Sequence, residues 1–386
     1  VEVKRTGDHP IPEEYRNRIF IHTVHDGDSI PREFVLDEDG QPLVEPKALE
    51  RRFIEERDWG ADLVARKIAS AMGVPNYGRA RIARVLLDFN RFPGSTPHDG
   101  DDVLPLERQA INYPFSSALD HTAKVRLLEK YYDGISDFIE DRIQRNTLIM
   151  IAVHTYDEHN PTRTRRPHLS LLSSMAGYQR NSRMPFGIFD PMYPDILGES
   201  TCSRILRDRI SLNIERTGMR VSHNHPYPLP EGSMEVRAQV WFFFDYLRRR
   251  FVADFPETAG DPAYELVWRM LLNTNLRMAE AEALRSYLHR YRRLVPDDRQ
   301  KFNEAQLAYD TIGSYLGEDL VKDFRLSRDR LSSLGLEIRK DLVTAFDPET
   351  GHPLPTTTEQ VDQATLIGNV VANAITTYFE TDIHFL

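Results

Sequence analysis

Apolar positions along the first half of the chain alternate between short continuous runs and stretches of helical spacing. Residues 19–24 form an apolar, β-branched run that stops at the turn dipeptide Asp26-Gly27, which predicts a strand. Residues 47–72 carry apolar positions at helical spacing and end at the helix breakers Gly73 and Pro75. Residues 82–89 predict a second strand, closed by Pro93-Gly94, and residues 124–143 predict a second helix. Residues 148–153 are six apolar positions in succession, the mark of a strand covered on both faces. The order β-α-β-α-β predicts the α/β class, with a mainly parallel or mixed sheet flanked by helices.

Beyond this unit the pattern changes. Residues 161–199 are rich in Pro, Arg and Ser and lack periodicity, and a connection of that length is expected to be functional, such as a lid. Residues 203–216 predict a helix and 219–222 a short strand. From 250 to 342 the pattern is almost wholly helical, and a Pro/Thr-rich link at 347–358 precedes a last helix at 359–379. The predicted organisation is therefore an α/β catalytic domain over 1–250, a helical addition over 251–346, and a linker with terminal helix over 347–386.

Composition narrows the function classes. The chain has 386 residues, 40% of them apolar, and a formal charge of −10. That charge gives no general attraction to nucleic acid or to an anionic membrane, so a small anionic substrate needs a local cationic anchor. The one cysteine, Cys202, rules out an internal disulfide and a thiolate metal cluster, leaving His, Asp and Glu as metal ligands. No run approaches the ~20 apolar residues of a membrane span, and residues 1–18 lack a signal-type apolar stretch, which predicts a cytoplasmic protein. Composition says nothing about oligomeric state.

The candidate chemistry sits where strands end, since open α/β sheets bind ligands beyond the carboxyl ends of their strands. The first predicted strand leads into His25, the second into Asp88-Phe89-Asn90-Arg91, and the apolar run into His154. Two histidines on one rim are a start for a catalytic zinc, which takes three protein ligands; the alternative is that each simply hydrogen-bonds a loop. Helical spacing puts Asp58 on one face with Ile54, Ala61, Ala65, Ile68 and Met72, where it is the single charge on an apolar stripe. A carboxylate facing a core has to be paired or bound to a metal, with Glu56 and Asp62 as fallback ligands. Arg91 can grip a carboxylate with both ends of its guanidinium while Asn90 adds a donor; an ion pair with Asp88 is the competing reading. The cluster Ser222-His223-Asn224-His225-Pro226-Tyr227 reads as a substrate-contacting loop, with a His223/His225 metal site as the alternative.

These residues resemble the motifs of the N-formylglutamate amidohydrolase family, which shares its fold with the zinc carboxypeptidases. Val24-His25-Asp26-Gly27 with Ile30-Pro31 is similar to the family's opening Pro-His-Ser/Ala-Gly motif, and Glu56 to Asp62 to its Asp-x-Asp-Trp-x-x-Asp helix. Asp88-Phe89-Asn90-Arg91-Phe92-Pro93 looks like Asp-Leu-Asn-Arg-x-Pro, Ala152 to Thr155 like Asp-x-His-Ser, and Asn224 to Tyr227 like Asn-x-Pro-Tyr. The resemblance implies a zinc ion held by His25, Asp58 and His154, with iron or manganese as alternatives for this ligand set. It implies a substrate carboxylate met by Asn90 and Arg91, with Asn224 and Tyr227 lining the site, and hydrolysis of an N-formyl or N-acyl amino acid. The family's Gln-x-Glu strand, whose glutamate is its general base, aligns with Gln239-Val240-Trp241, where no glutamate stands; Glu235 is the nearest substitute as catalytic base. The implied function is a metal-dependent amidohydrolase of a small N-acyl amino acid or peptide substrate. The alternatives are a metallopeptidase or peptide-modifying amidohydrolase, and a binding protein of the same fold that has lost its chemistry.

Overall fold

Six strands form one mixed sheet in the computed structural model, which describes residues 11–74, 77–93, 109–144, 147–176, 190–289, 299–327 and 330–380. They are β1 (Ile19–Thr23), β2 (Gly78–Arg79), β3 (Ile149–Tyr156), β4 (Leu169–Leu172), β5 (Val221–His223) and β6 (Ser332–Arg339). The spatial order is β2-β1-β3-β6-β4-β5, and every neighbouring pair is parallel except β4 with β6. The helices that bear on the site are α1 (Pro46–Glu56), α2 (Ala61–Met72), α3 (His121–Leu127), α4 (Gly134–Gln144), α5 (Arg204–Glu215) and α6 (Met234–Asp254). Then follow α7 (Pro262–Leu272), α8 (Ala279–His289), α9 (Arg299–Tyr315), α10 (Glu318–Leu326) and α11 (Thr358–Phe379). A π-helical turn, Leu128–Asp133, joins α3 to α4, so the helix expected over 124–143 is continuous. The α/β expectation of a mixed sheet with flanking helices holds.

Strand geometry divides the sheet's side chains between two faces, because successive residues point opposite ways. One face carries Ile19 and Ile21 of β1, Ile149, Ile151 and Val153 of β3, Leu169 and Leu171 of β4, and Leu334, Leu336 and Ile338 of β6. Against it pack α2, α5 and α11 in one apolar core. The buried stripe of α2 (Ala61, Val64, Ala65, Ile68, Ala69, Met72) repeats at three and four, which is why this segment is helical and which side it buries. Each fully buried Leu, Ile or Val here stabilises the fold by roughly 1.5–3 kcal/mol. The start of α11 is set by a capping box between Thr357 and Gln360. The opposite face is covered by α4 and α6, with the aromatic-rich core of α6 to α10 beyond.

Four expectations are corrected. The helix predicted over 47–72 is two helices, broken at Arg57 to Gly60, where Gly60 takes φ +87°. A left-handed residue ends the helical repeat whatever the apolar spacing around it, so Asp58 lies in the break and not on a helix face. The strand predicted over 82–89 is buried but irregular, because its backbone groups pair with two loops: Ala83 N–H with Ser29, and Asp88 N–H with Ala110. The long connection contains β4, while residues 177–189, where much of the proposed lid falls, lie outside the described residues. The helical stretch after 250 ends in β6, which enters the middle of the sheet between β3 and β4. Its residues Leu334, Leu336 and Ile338 are apolar at period two, the strand signature that the longer helical pattern obscured.

Candidate metal centre and active site

The site lies at the carboxyl ends of β1, β3 and β6. His25 follows the end of β1 by two residues, in a loop whose Gly27 touches the Ile82 backbone. A Cβ there would stand 2.2 Å from the Ile82 carbonyl oxygen, so no larger residue fits. Next to it, Asp26 accepts from the Asp62 N–H at 2.9 Å and from Arg57 Nε at 2.7 Å, which ties the histidine loop to the start of α2. The same break brings Asp58 in, its N–H donating to the His25 carbonyl at 3.1 Å. His154 points from β3 to the polar face, one rung across from Glu337 of β6.

The three predicted ligands converge. His25 Nδ1 stands 3.5 Å and His154 Nδ1 2.9 Å from the same Asp58 oxygen, Oδ2. Ligand atoms of all three lie within 4.8 Å of one another, and all three residues are buried. Each histidine presents its second nitrogen to another buried carboxylate: His25 Nε2 to Asp88 Oδ1 at 2.9 Å, and His154 Nε2 to Glu235 Oε1 at 3.8 Å. The His25–Asp88 hydrogen bond is of the kind that fixes the tautomer and orientation of metal-binding histidines, while the His154–Glu235 contact is longer than a hydrogen bond. Arg84 bridges the two aspartates, Nη1 to Asp58 at 3.2 Å and Nη2 to Asp88 at 3.3 Å. The fallback ligands face elsewhere: Glu56 meets Arg52 and Asn112, and Asp62 accepts from the Tyr77 hydroxyl at 2.9 Å.

Acidic groups crowd this cluster. Burial works to raise the pKa of Asp58, but its hydrogen bonds with His154 and His25 and the Arg84 charge hold it well below the usual carboxylate range. Asp88 is held down against burial by Arg84 and His25. Burial pushes His154 down and its hydrogen bond with Asp58 and the charges around it push it up, to about 10. Glu235 is driven up by burial and, more strongly, down by His154, to about 2. Glu337 moves the other way, raised first by burial and then by the Asp58 charge. Of the four buried carboxylates (Asp58, Asp88, Glu235, Glu337), two, Asp58 and Asp88, pair with the guanidinium groups of Arg84 and Arg91. A buried charge has to be paired or bound to a metal. His154 Nε2, both Glu235 oxygens and Glu337 Oε2 are also buried without a hydrogen-bond partner. The donor set and these unpartnered atoms fit a metal ion.

Other predicted site residues are placed as follows. Arg91 is a third exposed, with Nε 3.3 Å from Asp88 and Nη1 donating to Asn112 at 2.9 Å, so the competing ion pair with Asp88 is present while the guanidinium also reaches the site rim. The Asn90 N–H donates to Asp88 at 2.9 Å, and its side-chain oxygen is buried without a partner. Asn224 uses its side-chain oxygen to accept from the Ser173 and Ser174 N–H groups at 2.8 and 3.0 Å, bracing the end of β4. Tyr227 has a 42% exposed ring and a hydroxyl that donates to Glu337 Oε1 at 2.6 Å. His223 turns to Ser211 of α5 at 3.0 Å, and neither it nor His225 joins the metal cluster.

Glu235, the expected base, sits in the first turn of α6 and faces the Nε2 side of His154, not the Nδ1 side where the ligands converge. The stretch Gln239-Val240-Trp241, expected as a strand, is helical, and Gln239 donates to the Leu331 carbonyl at 2.8 Å, tying α6 to the start of β6. Sequence reasoning missed Glu337 and Arg84. A lone acid among the alternating apolar residues of β6 was the available signal for the first; for Arg84 there was no signal beyond its spacing of four from Asp88.

This combination defines an α/β protein with a buried candidate metal centre at the carboxyl ends of parallel strands. The family's sequence model matches residues 18–243, and the chain belongs to the N-formylglutamate amidohydrolase family, which places it among amidohydrolases. Of solved structures it is similar to an N-formylglutamate amidohydrolase from Ralstonia eutropha, at 14% identity and TM-score 0.48, covering 96% of each chain. It is also similar to a gene product of Agrobacterium tumefaciens, at 14% identity and TM-score 0.43, covering 94% of this chain and 92% of that one. The chain matches none of the curated proteins. Among the described residues no helix is long and apolar enough to cross a membrane.

Proposed function

We propose that the protein is a zinc-dependent amidohydrolase that cleaves the N-formyl or N-acyl amide of an amino acid, with an N-formylglutamate-like substrate as the reference. The observation that carries this reading is the convergence of His25 Nδ1 and His154 Nδ1 on one Asp58 oxygen, with a buried carboxylate behind each ring. His25, Asp58 and His154 would hold the ion, which when bound supplies a Lewis acid that polarises the amide carbonyl and acidifies water toward a pKa of about 7.

The chain's own residues divide the remaining work. Glu337 is the proton carrier: Tyr227 occupies its Oε1, and the unpartnered Oε2 is free to take a proton from the attacking water and return it to the leaving nitrogen. Its raised pKa suits a group that must hold a proton between two steps. This glutamate supplies the acid that Gln239-Val240-Trp241 lacks, which favours the enzyme over the non-catalytic alternative. Glu235 acts through His154 and is a positioning residue. Arg91, with Asn90 beside it, orients the substrate's free carboxylate from the rim.

Elemental analysis and hydrolysis of N-formylglutamate, run on the wild type and on His25→Ala and His154→Ala, test the proposal. About one zinc per chain, lost together with activity in both variants, is expected. A wild type that takes up no metal when zinc is supplied would end it.

A further inference from the structure

Beside the candidate metal centre, a trough of about 510 Å³ runs between α4 and the sheet's edge strand β2. Its lining includes Phe20, His22, Arg79, Arg81, Ile135 and Phe138, and none of His25, Asp58 or His154. The floor is aromatic. Phe20 and His22 project from the same face of β1 with centroids 5.3 Å apart and planes 17° from parallel, and Phe138 stands at 64° to Phe20 with centroids 6.1 Å apart. Phe138 is 47% exposed, a large apolar ring held at the mouth of the trough with nothing over it among the described residues. His22 is buried with no hydrogen-bond partner on either ring nitrogen.

Three arginines stand at or beside the trough. Arg79 is committed to Asp28 and Asp62. Arg81 is exposed and Arg142 sits over the Phe20 ring at 5.9 Å, and neither has an ion-pair partner among the described residues. Two guanidinium groups without ion-pair partners thus stand beside an apolar floor, in a chain whose net charge is −10. Sites for small ligands are typically about 300–1,000 Å³, mostly apolar, with a few polar groups that set orientation. A flat ring would bury its faces against Phe20, Ile135 and Phe138, and its acid would reach a guanidinium that offers paired donors to a carboxylate.

We propose that this trough binds a planar aromatic carboxylate without drawing on the three candidate metal ligands. The test uses the fluorescence of 8-anilinonaphthalene-1-sulfonate, an aromatic anion that brightens in apolar surroundings, titrated into the full chain and displaced with the planar 2-naphthoate. The expected result is one saturable site, displaced by 2-naphthoate far better than by neutral 2-naphthamide, and unchanged after chelation with EDTA. Arg81→Glu and Phe138→Ser alter exposed side chains whose loss the fold tolerates, and each should weaken binding by about tenfold or more. Binding that fails to saturate, or that both variants leave intact, overturns the site. Equal displacement by the amide overturns the ligand class. Loss on chelation assigns the ligand to the metal centre and overturns the proposal.

Discussion

The two faces of the central sheet are built from alternate residues of the same strands, yet they do opposite things. On one face Ile151, Val153, Leu336 and Ile338 meet α2, α5 and α11 in a closed apolar core. On the other, His22, His154 and Glu337 stand one residue away along those strands, all buried, several without direct partners. The first face gains free energy from every residue it hides from water. The second carries buried carboxylates, whose desolvation opposes folding. Stability and chemistry are therefore separated by the pleat of the sheet, which puts them back to back with no sequence distance between them.

If that separation is real, single substitutions on the two faces should fail in different ways. Asp58→Ala should abolish metal binding and lower activity by at least about 10³-fold, whereas Ile151→Ala should destabilise the protein by about 2–5 kcal/mol and keep its metal. Calorimetry with metal analysis on both variants decides this; metal loss in Ile151→Ala would break the comparison. Next in size, Glu337→Gln should reduce kcat by roughly 10²–10⁴-fold with metal retained. Its melting temperature should hold or rise, because a buried charge is removed. A normal kcat would return the proton-transfer role to Glu235. Glu235→Gln itself should weaken zinc affinity by about 10–100-fold, read by chelator competition, while Glu235→Asp recovers part of the loss.

The smallest effect concerns pH. Burial holds His22 down at about 4, against 6.5 for a free imidazole. A depressed histidine stabilises the fold above pH 6.5, and that contribution is lost as pH falls toward 4, because the unfolded chain takes up a proton that the folded chain refuses. Between pH 7 and 5 this amounts to about 2 kcal/mol. Urea unfolding of the metal-free protein at both pH values should show a shallower loss for His22→Phe than for the wild type. Identical slopes would mean that His22 is not kept neutral by its burial.

What could be read from sequence alone was local. The apolar run of β3 announced a strand buried on both faces with His154 near its end, and the run of β1 did the same for His25. The five short motifs between residues 18 and 250 carried the family resemblance, and the charge and the single cysteine narrowed the metal ligands to His, Asp and Glu. Asp58 was found by an argument that the fold does not use, since the apolar spacing continues across a break made by a single left-handed glycine. Tertiary structure alone decided the rest. Glu337 faces His154 only because β6 pairs in register with β3 across nearly half the chain, and no local pattern encodes which strands become neighbours. For the same reason Glu235 reads from sequence as a free acid, while the packing of α6 on the sheet sets it behind a histidine. Periodicity is fixed by neighbours three or four residues away; a site is fixed by which faces meet, and that is settled by burial over the whole fold.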